Sequence, residues 1–249
     1  MYAYMRLHRF YSSETITTEQ GEVLAVHTHA HQWYNVFRLR KGDSVILFDG
    51  SLYEFIFEIQ EIDSRKAQLM LVEKRAVDIR DKRQVVLNMA MVKKDTFEVI
   101  VQKATELGVQ SIQPIIAERS EKKGLNIDRA KKIIIEAVEQ SGRVAVPILG
   151  NPLSFKDVLD NLDEKSLAIA FDPTGQVAAD FFVKDNLMLP EKSEAVVART
   201  IHIFIGPEGG WSDAELGMFK ERGVRIYSLG NAILRAETAA VAALAKILL

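Results

Sequence analysis

The 249-residue chain contains no cysteine. Disulfides, thiolate metal sites and a cysteine nucleophile are therefore excluded. It has no surplus of basic charge: 32 Lys and Arg stand against 34 Asp and Glu, so nothing marks it globally as a polyanion binder. Local basic patches remain open, because the field that steers a nucleic acid is local. No stretch approaches the roughly 18 uninterrupted apolar residues of a membrane helix, and MYAYMRLHRFYSS at the start carries no apolar core of signal-peptide length. A cytoplasmic protein with no membrane partner is the expectation. Internal repeats are missing. So are the glycine patterns GxxxxGKS/T and GxGxxG that cradle phosphates, which disfavours a nucleotide-hydrolysing enzyme or a dinucleotide site. No Ser/His/Asp arrangement stands out either.

What is present falls into two halves. Residues 1–74 read as β-rich, with EVLAVHTH, DSVILFDG, YEFIFEIQEI and AQLMLVE separated by the turn signals Lys41-Gly42-Asp43, Asp49-Gly50 and Asp63-Ser64. A small barrel or sandwich is the natural architecture. In residues 75–249 the rhythm changes. VVLNMAM, SIQPIIA, SLAIAF, TIHIFI and VRIYSL read as strands. TFEVIVQKATELGV, IDRAKKIIIEAVEQSGR, SDAELGMFKERG and RAETAAVAALAKILL read as helices. Such alternation argues an α/β domain with a mainly parallel sheet covered on both faces. Gly108 should stop the first helix and Asp128 should N-cap the second. The charged stretch 73–83 is the expected linker, and 183–200 an expected surface insertion.

In open α/β sheets, ligands bind beyond the carboxyl ends of strands. Three strands here end in suggestive loops: SLAIAF in Asp172-Pro173-Thr174-Gly175, TIHIFI in Gly206-Pro207-Glu208-Gly209-Gly210, and VRIYSL in Gly230-Asn231-Ala232. Side by side, they would line one glycine-rich crevice. The GPEGG turn is either a tight strand-to-helix connection, with Ser212 or Asp213 capping the next helix, or a place where backbone approaches a flat ligand. A nucleoside without a phosphate grip suits it better than ATP or NAD. In LGNAILRAETA, Glu237 is an acid favouring a helix N-terminus or a functional group, and Arg235 a surface ion pair or a cation at the crevice. Arg119 and Arg143 meet phosphate or are solvated. Residues 75–150 carry 14 Lys and Arg against 10 Asp and Glu, the natural place for a nucleic-acid face. In HTHAH, His27, His29 and His31 would share a face of a strand at a spacing that suits zinc, but no acidic partner lies near, and no metal is expected.

IGPEGGWSDAE followed by LGNAILRAETA closely resembles the C-terminal signature of the 16S ribosomal RNA (uracil-N3) methyltransferases of the SPOUT superfamily. VQKATELGVQSIQPIIAERS, EAVEQSGRVAVP, HQWYNVFRLRKGDSVILFDG and MRLHRFY extend the resemblance over nearly the whole chain. Two positions depart from the family pattern: Phe37 in the usual Val-Leu-Arg-Leu, and Ala232 where a basic residue is frequent.

The resemblance implies a PUA-like RNA-binding β-barrel over 1–74 and a SPOUT methyltransferase domain with a trefoil knot over 75–249. It implies a homodimer that methylates N3 of one uridine in 16S rRNA of the small ribosomal subunit, using S-adenosylmethionine. Phe171, Gly206, Pro207, Glu208, Gly209, Gly210, Leu229, Gly230, Ile233 and Leu234 would hold the cofactor. Arg235 would stabilise charge on the uracil and Glu237 would take its proton. Arg6, Arg9, Arg38, Arg119 and Arg143 would touch the RNA backbone. Two alternatives stay open: a methyltransferase of the same superfamily acting on another RNA site, and a non-catalytic RNA-binding factor in ribosome assembly.

Overall fold

The computed structural model describes residues 7–77, 84–121, 124–177 and 200–249. Arg6, residues 78–83 of the expected linker and residues 183–199 of the expected insertion lie outside the described residues. The chain divides into two units, Met1–Arg80 with Val138–Ala145, and Asp81–Ala137 with Val146–Leu249.

The first unit is built on five strands, β1 (His8–Tyr11), β2 (Val23–Val26), β3 (Ser44–Phe48), β4 (Tyr53–Ile62) and β5 (Ala67–Ala76). They form one sheet in the order β1-β3-β4-β5-β2. β1 pairs parallel with β3 and the other pairs are antiparallel. Residues two apart share a face of a strand. Val45 and Leu47, Phe55, Phe57 and Ile59, and Ala67, Leu69 and Leu71 accordingly meet in one core with Phe10 and Trp33. Two register shifts between β4 and β5 bend and twist the sheet around that core.

Two expectations fail in this unit. Residues 73–76 of the expected linker are strand, paired across to β4 through Ile56↔Glu73 and Glu54↔Arg75. The HTHAH histidines do not share a strand face, because β2 stops at Val26 and the chain enters a π-helical turn over Gln32–Val36. His29 instead lies 3.0 Å from the Tyr11 carbonyl and stacks on Trp33.

The second unit runs β6 (Gln84–Ala90), α1 (Lys94–Leu107), β7 (Ser111–Ile116), α2 (Ile127–Ser141), β8 (Ile148–Leu149), β9 (Leu153–Ser154), α3 (Phe155–Asp160), β10 (Leu167–Val177), β11 (Thr200–Ile205), α4 (Asp213–Glu221), β12 (Arg225–Ser228) and α5 (Ala236–Leu248). Its sheet is parallel, in the order β12-β10-β11-β6-β7-β8, with β9 also on β7. Pro114 sits inside β7 and has no N–H to give a neighbouring strand. The outer edge breaks there: β8 pairs with Ser111 and Ile112, β9 with Ile115 and Ile116. The Gln113 side chain bridges the break with a 2.7 Å bond to the Asn151 carbonyl.

α1 buries Phe97, Ile100, Val101 and Ala104 on one face and ends at Gly108, φ 115°. α2 starts two residues earlier than a cap at Asp128 requires. Asp128 therefore lies inside its first turn, and the Asn126 side chain accepts the Arg129 N–H at 3.0 Å. β10 does not stop at Phe171. Both Phe171 and Gln176 pair with Tyr227, so residues 172–175 bulge out of the strand. Gly175 permits the bulge to close, since a β-carbon there would lie 2.6 Å from Tyr227 backbone. Among the described residues, no helix is long and apolar enough to cross a membrane.

Candidate functional site

The parallel register sets the geometry. Phe171 on β10 pairs with Ile205 on β11 and with Tyr227 on β12. Just past that level β10 bulges out at Asp172, β11 ends before Gly206, and β12 runs one residue further to Ser228, which pairs with Val177 beyond the bulge. Beyond them opens a crevice of about 430 Å³, within the range of small-molecule sites. Its lining comes from Phe171, Asp172 and Pro173, from Ile205 through Trp211, from Ser228 and Leu229, and from Ala232 through Ala236 with Ala239.

Three anchors hold the GPEGG turn. The Trp211 indole N–H donates to the Phe171 carbonyl at 3.2 Å, and its ring lies under Gly206, where a β-carbon would come within 3.2 Å. Arg119, from the loop after β7, donates through Nη1 to the carbonyls of Gly209 (2.9 Å) and Trp211 (3.3 Å). Its stem packs so closely that a β-carbon on Gly209 would meet Arg119 Cβ at 3.2 Å. Ser212 and Glu215 form a capping box at the start of α4, and the buried Glu215 carboxylate also accepts the Glu118 N–H at 2.9 Å. Gly210 adopts φ 70° and donates to the Pro207 carbonyl, which closes the turn without a side chain.

The opposite wall is the segment between β12 and α5. Ser228 is buried and binds Gly230 twice, donating to its carbonyl at 2.8 Å and accepting its N–H at 3.3 Å. Gly230 has φ 143° and is not among the lining residues. Ile233 is 87% exposed, an apolar side chain held open at the crevice mouth. Arg235 is the N-cap residue of α5 and makes no side-chain cap bond. It is exposed and lines the crevice. The first-turn amides of α5 thus present a positive helix end without a side-chain acceptor. Glu237 lies in that first turn, half-buried, and is not part of the lining.

Nine of the ten residues expected around a cofactor meet in this crevice, Gly230 being the exception, and Arg235 joins them. The loop with Asp172 and Pro173 lines the crevice as expected, whereas sequence reasoning missed Trp211 and Ser228 as lining residues. A tryptophan directly after the glycines, in a chain with two, was the available signal.

The expected RNA arginines are dispersed. Arg119 braces the turn and borders a shallow hollow with Lys93, Ser120 and Glu208. Arg38 is exposed, with a left-handed backbone at φ 57°. Arg9 and Arg75 both engage the buried Glu54. Burial pushes the Glu54 carboxyl up, but the hydrogen bonds from Arg9 and Arg75 outweigh it and hold it below the usual range. Arg9 also donates to the Arg143 carbonyl at 3.2 Å. Burial lowers the Arg143 guanidinium.

A family model for an RNA methyltransferase domain matches residues 80–248, and one for an RNA methyltransferase PUA domain matches residues 34–71. Ribosomal RNA small subunit methyltransferase E of Rickettsia conorii is 30% identical, over 98% of this chain and 96% of its own. Its Synechocystis counterpart is 30% identical, over 87% of this chain and 69% of its own. The crystal structure of a ribosomal RNA small subunit methyltransferase E from Neisseria gonorrhoeae bound to S-adenosyl methionine superposes with a TM-score of 0.83 at 26% identity, covering 97% of this chain and 96% of that one.

Proposed function

The chain belongs to the ribosomal RNA small subunit methyltransferase E family of RNA methyltransferases, and from that premise we propose that it transfers the methyl group of S-adenosylmethionine to N3 of one uridine in the 16S rRNA of the small ribosomal subunit. It is a SAM-dependent methyltransferase that joins a PUA-type sheet to a parallel α/β unit of the SPOUT kind. The observation that carries the reading is one glycine-lined crevice built where β10 bulges and β11 and β12 end on neighbouring strands.

The residues present fit the cofactor. The crevice is mostly apolar, as a nucleoside site should be, and its glycines leave backbone groups approachable. Phe171, Pro207, Leu229 and Leu234 supply flat apolar walls, while Gly206, Gly209 and Gly210 keep the floor free of side chains. When bound, S-adenosylmethionine supplies an electrophilic methyl group. The protein's work is to hold the uracil N3 in line with it, which lowers the barrier by positioning.

N3 of uridine loses its proton as it is methylated, and negative charge spreads onto O2 and O4. Arg235, exposed in the crevice at the uncapped start of α5, faces that charge and stabilises it more in the transition state than in the neutral base. Glu237 stands outside the lining. Its place in the first turn of α5 suits the helix dipole, and the proton passes to water at the open crevice.

Arg38 carries backbone contact with the RNA. It keeps a left-handed φ that costs an L-residue roughly 1 kcal/mol, and it spends its charge on solvent rather than on the core. Arg119 and Arg143 are secondary candidates, and Arg9 is committed to Glu54. The protein is a homodimer in this reading. α5 buries Ala240, Ala243, Leu244 and Ile247 and leaves Val241, Ala242, Ala245 and Leu249 partly or fully open at helical spacing. The chain returns from β12 at the sheet edge to pack α5 on α1 and β11, a path that supports the knot expected for SPOUT domains. A ribosomal substrate places the enzyme in the cytoplasm.

Methyl transfer from labelled S-adenosylmethionine to small subunits lacking the modification tests the reading, with naked 16S rRNA in parallel. Label on one uridine base of the subunit is expected. No label on any RNA, from protein that still binds subunits, would favour the assembly-factor alternative. Light scattering in solution checks the dimer, and a monomer at micromolar concentration would remove it.

A further inference from the structure

Three ionisable side chains line the crevice, Asp172, Glu208 and Arg235. Glu208 and Arg235 are exposed, whereas Asp172 is only 8% exposed. It opens the bulge of β10, and its Oδ1 accepts two bonds from Thr174, from N–H at 2.9 Å and from Oγ1 at 2.6 Å. Those bonds fix the carboxylate in a local turn. Its Oδ2 has no protein partner among the described residues, yet it is not sealed from solvent. The space this residue borders is the crevice.

A carboxylate only accepts hydrogen bonds, and a buried one with an open oxygen selects a donor. S-adenosylmethionine offers donors in its ribose hydroxyls, its adenine amino group and its ammonium, and a bare positive charge at sulfur. Methyl transfer discharges the sulfonium. A carboxylate held against it would stabilise the ground state more than the transition state and slow the reaction. The ribose keeps the same charge throughout, and its two adjacent hydroxyls give a single fixed oxygen a choice of donors.

We propose that Asp172 is the ribose-binding residue of the cofactor site, Oδ2 accepting a hydrogen bond from a ribose hydroxyl. The proposal rests on the crevice being the S-adenosylmethionine site.

The test is calorimetric titration of wild type and Asp172→Asn with four probes: S-adenosylmethionine, S-adenosylhomocysteine, 5′-methylthioadenosine and 2′,3′-dideoxy-5′-methylthioadenosine. Asparagine keeps an acceptor for the Thr174 turn while replacing the open acceptor. A similar loss of about tenfold for the first three, and none for the dideoxy probe, is the expected result. A loss for S-adenosylmethionine alone would assign the oxygen to the sulfonium and overturn the proposal. A loss that spares 5′-methylthioadenosine would assign it to the ammonium, and one that includes the dideoxy probe to the adenine. No loss for any probe would leave Asp172 a turn residue only. Unchanged thermal unfolding of the ligand-free variant separates these outcomes from misfolding. If wild type binds none of the four, the crevice is not the cofactor site and the methyltransferase reading falls first.

Discussion

Both units bury carboxylates, and Glu54 and Asp172 are treated differently. Glu54, in β4 of the first unit, is 4% exposed and has both oxygens engaged, one by Arg9 and one by Arg75. Asp172, at the bulge of β10 in the second unit, is nearly as buried, yet one oxygen stays open. The first arrangement is closed and does structural work, because a buried charge with all its bonds made has nothing left to offer a ligand. The second opens a bulge within a strand of a parallel sheet, which holds it in place and leaves it incomplete. Burial alone therefore does not mark a site; burial with unfinished hydrogen bonding beside a crevice does.

The largest expected effect falls on the open side of this contrast. Arg235→Ala should lower kcat about 10²- to 10³-fold, the range for losing one group that stabilises developing charge, with the Kd for S-adenosylmethionine nearly unchanged. Single-turnover kinetics beside equilibrium binding checks it, and an equal loss in both would make Arg235 a cofactor ligand instead.

On the closed side, Glu54→Ala strands two arginines in a half-buried site and should destabilise the protein by roughly 3 kcal/mol or more. Denaturant unfolding reads this directly. A change under about 1 kcal/mol would mean that water takes over the carboxylate's role.

A smaller effect follows from titration. Burial is the larger influence on His29 and lowers it, against the Tyr11 carbonyl bond that raises it. The folded protein thus resists protonating His29, and stability falls as pH drops through the unfolded value of 6.5 towards the lower folded one. Glu54 is also depressed in the fold, so its share persists until pH falls through the unfolded 4.5 and then through the folded value. Two successive acid losses are expected in melting temperature against pH. His29→Gln should shrink the first, to which His202, also lowered by burial, contributes, and leave the second.

The smallest effect sharpens the comparison from outside both carboxylates. Arg38→Gly relieves a left-handed backbone and should raise stability by some tenths of a kcal/mol. It should also weaken subunit binding and reduce its salt slope by about one. A loss of stability would remove the case that Arg38 is kept for its charge.

Much of the second unit was legible because periodicity and punctuation agree there. Phe97, Ile100, Val101 and Ala104 marked α1, Gly108 ended it, and Ser212 capped α4. The three loops expected to line a crevice do so because their strands are neighbours, which alternation suggested but could not order. The bulge of β10 was hidden, since it depends on Tyr227 pairing twice, a fact of the partner strand. Arg119 looked like a free cation because the carbonyls it binds lie 90 and 92 positions away. HTHAH alternates as a strand would, yet the packing of Trp33 in the core, rather than the local pattern, decides where β2 stops.

The bracing of the GPEGG turn by Arg119 also bears on how the crevice comes into being. Its walls are drawn from residues 171–173, 205–211 and 228–239, and its brace from the loop after β7. Contacts so distant in sequence close late in folding, because loop-closure entropy must be overcome before they are made. A chain shortened to Ser228 would keep the floor and the brace and lose all of the facing wall but Ser228. Competence to bind cofactor is therefore a late checkpoint of folding, reached only once the final helix has docked.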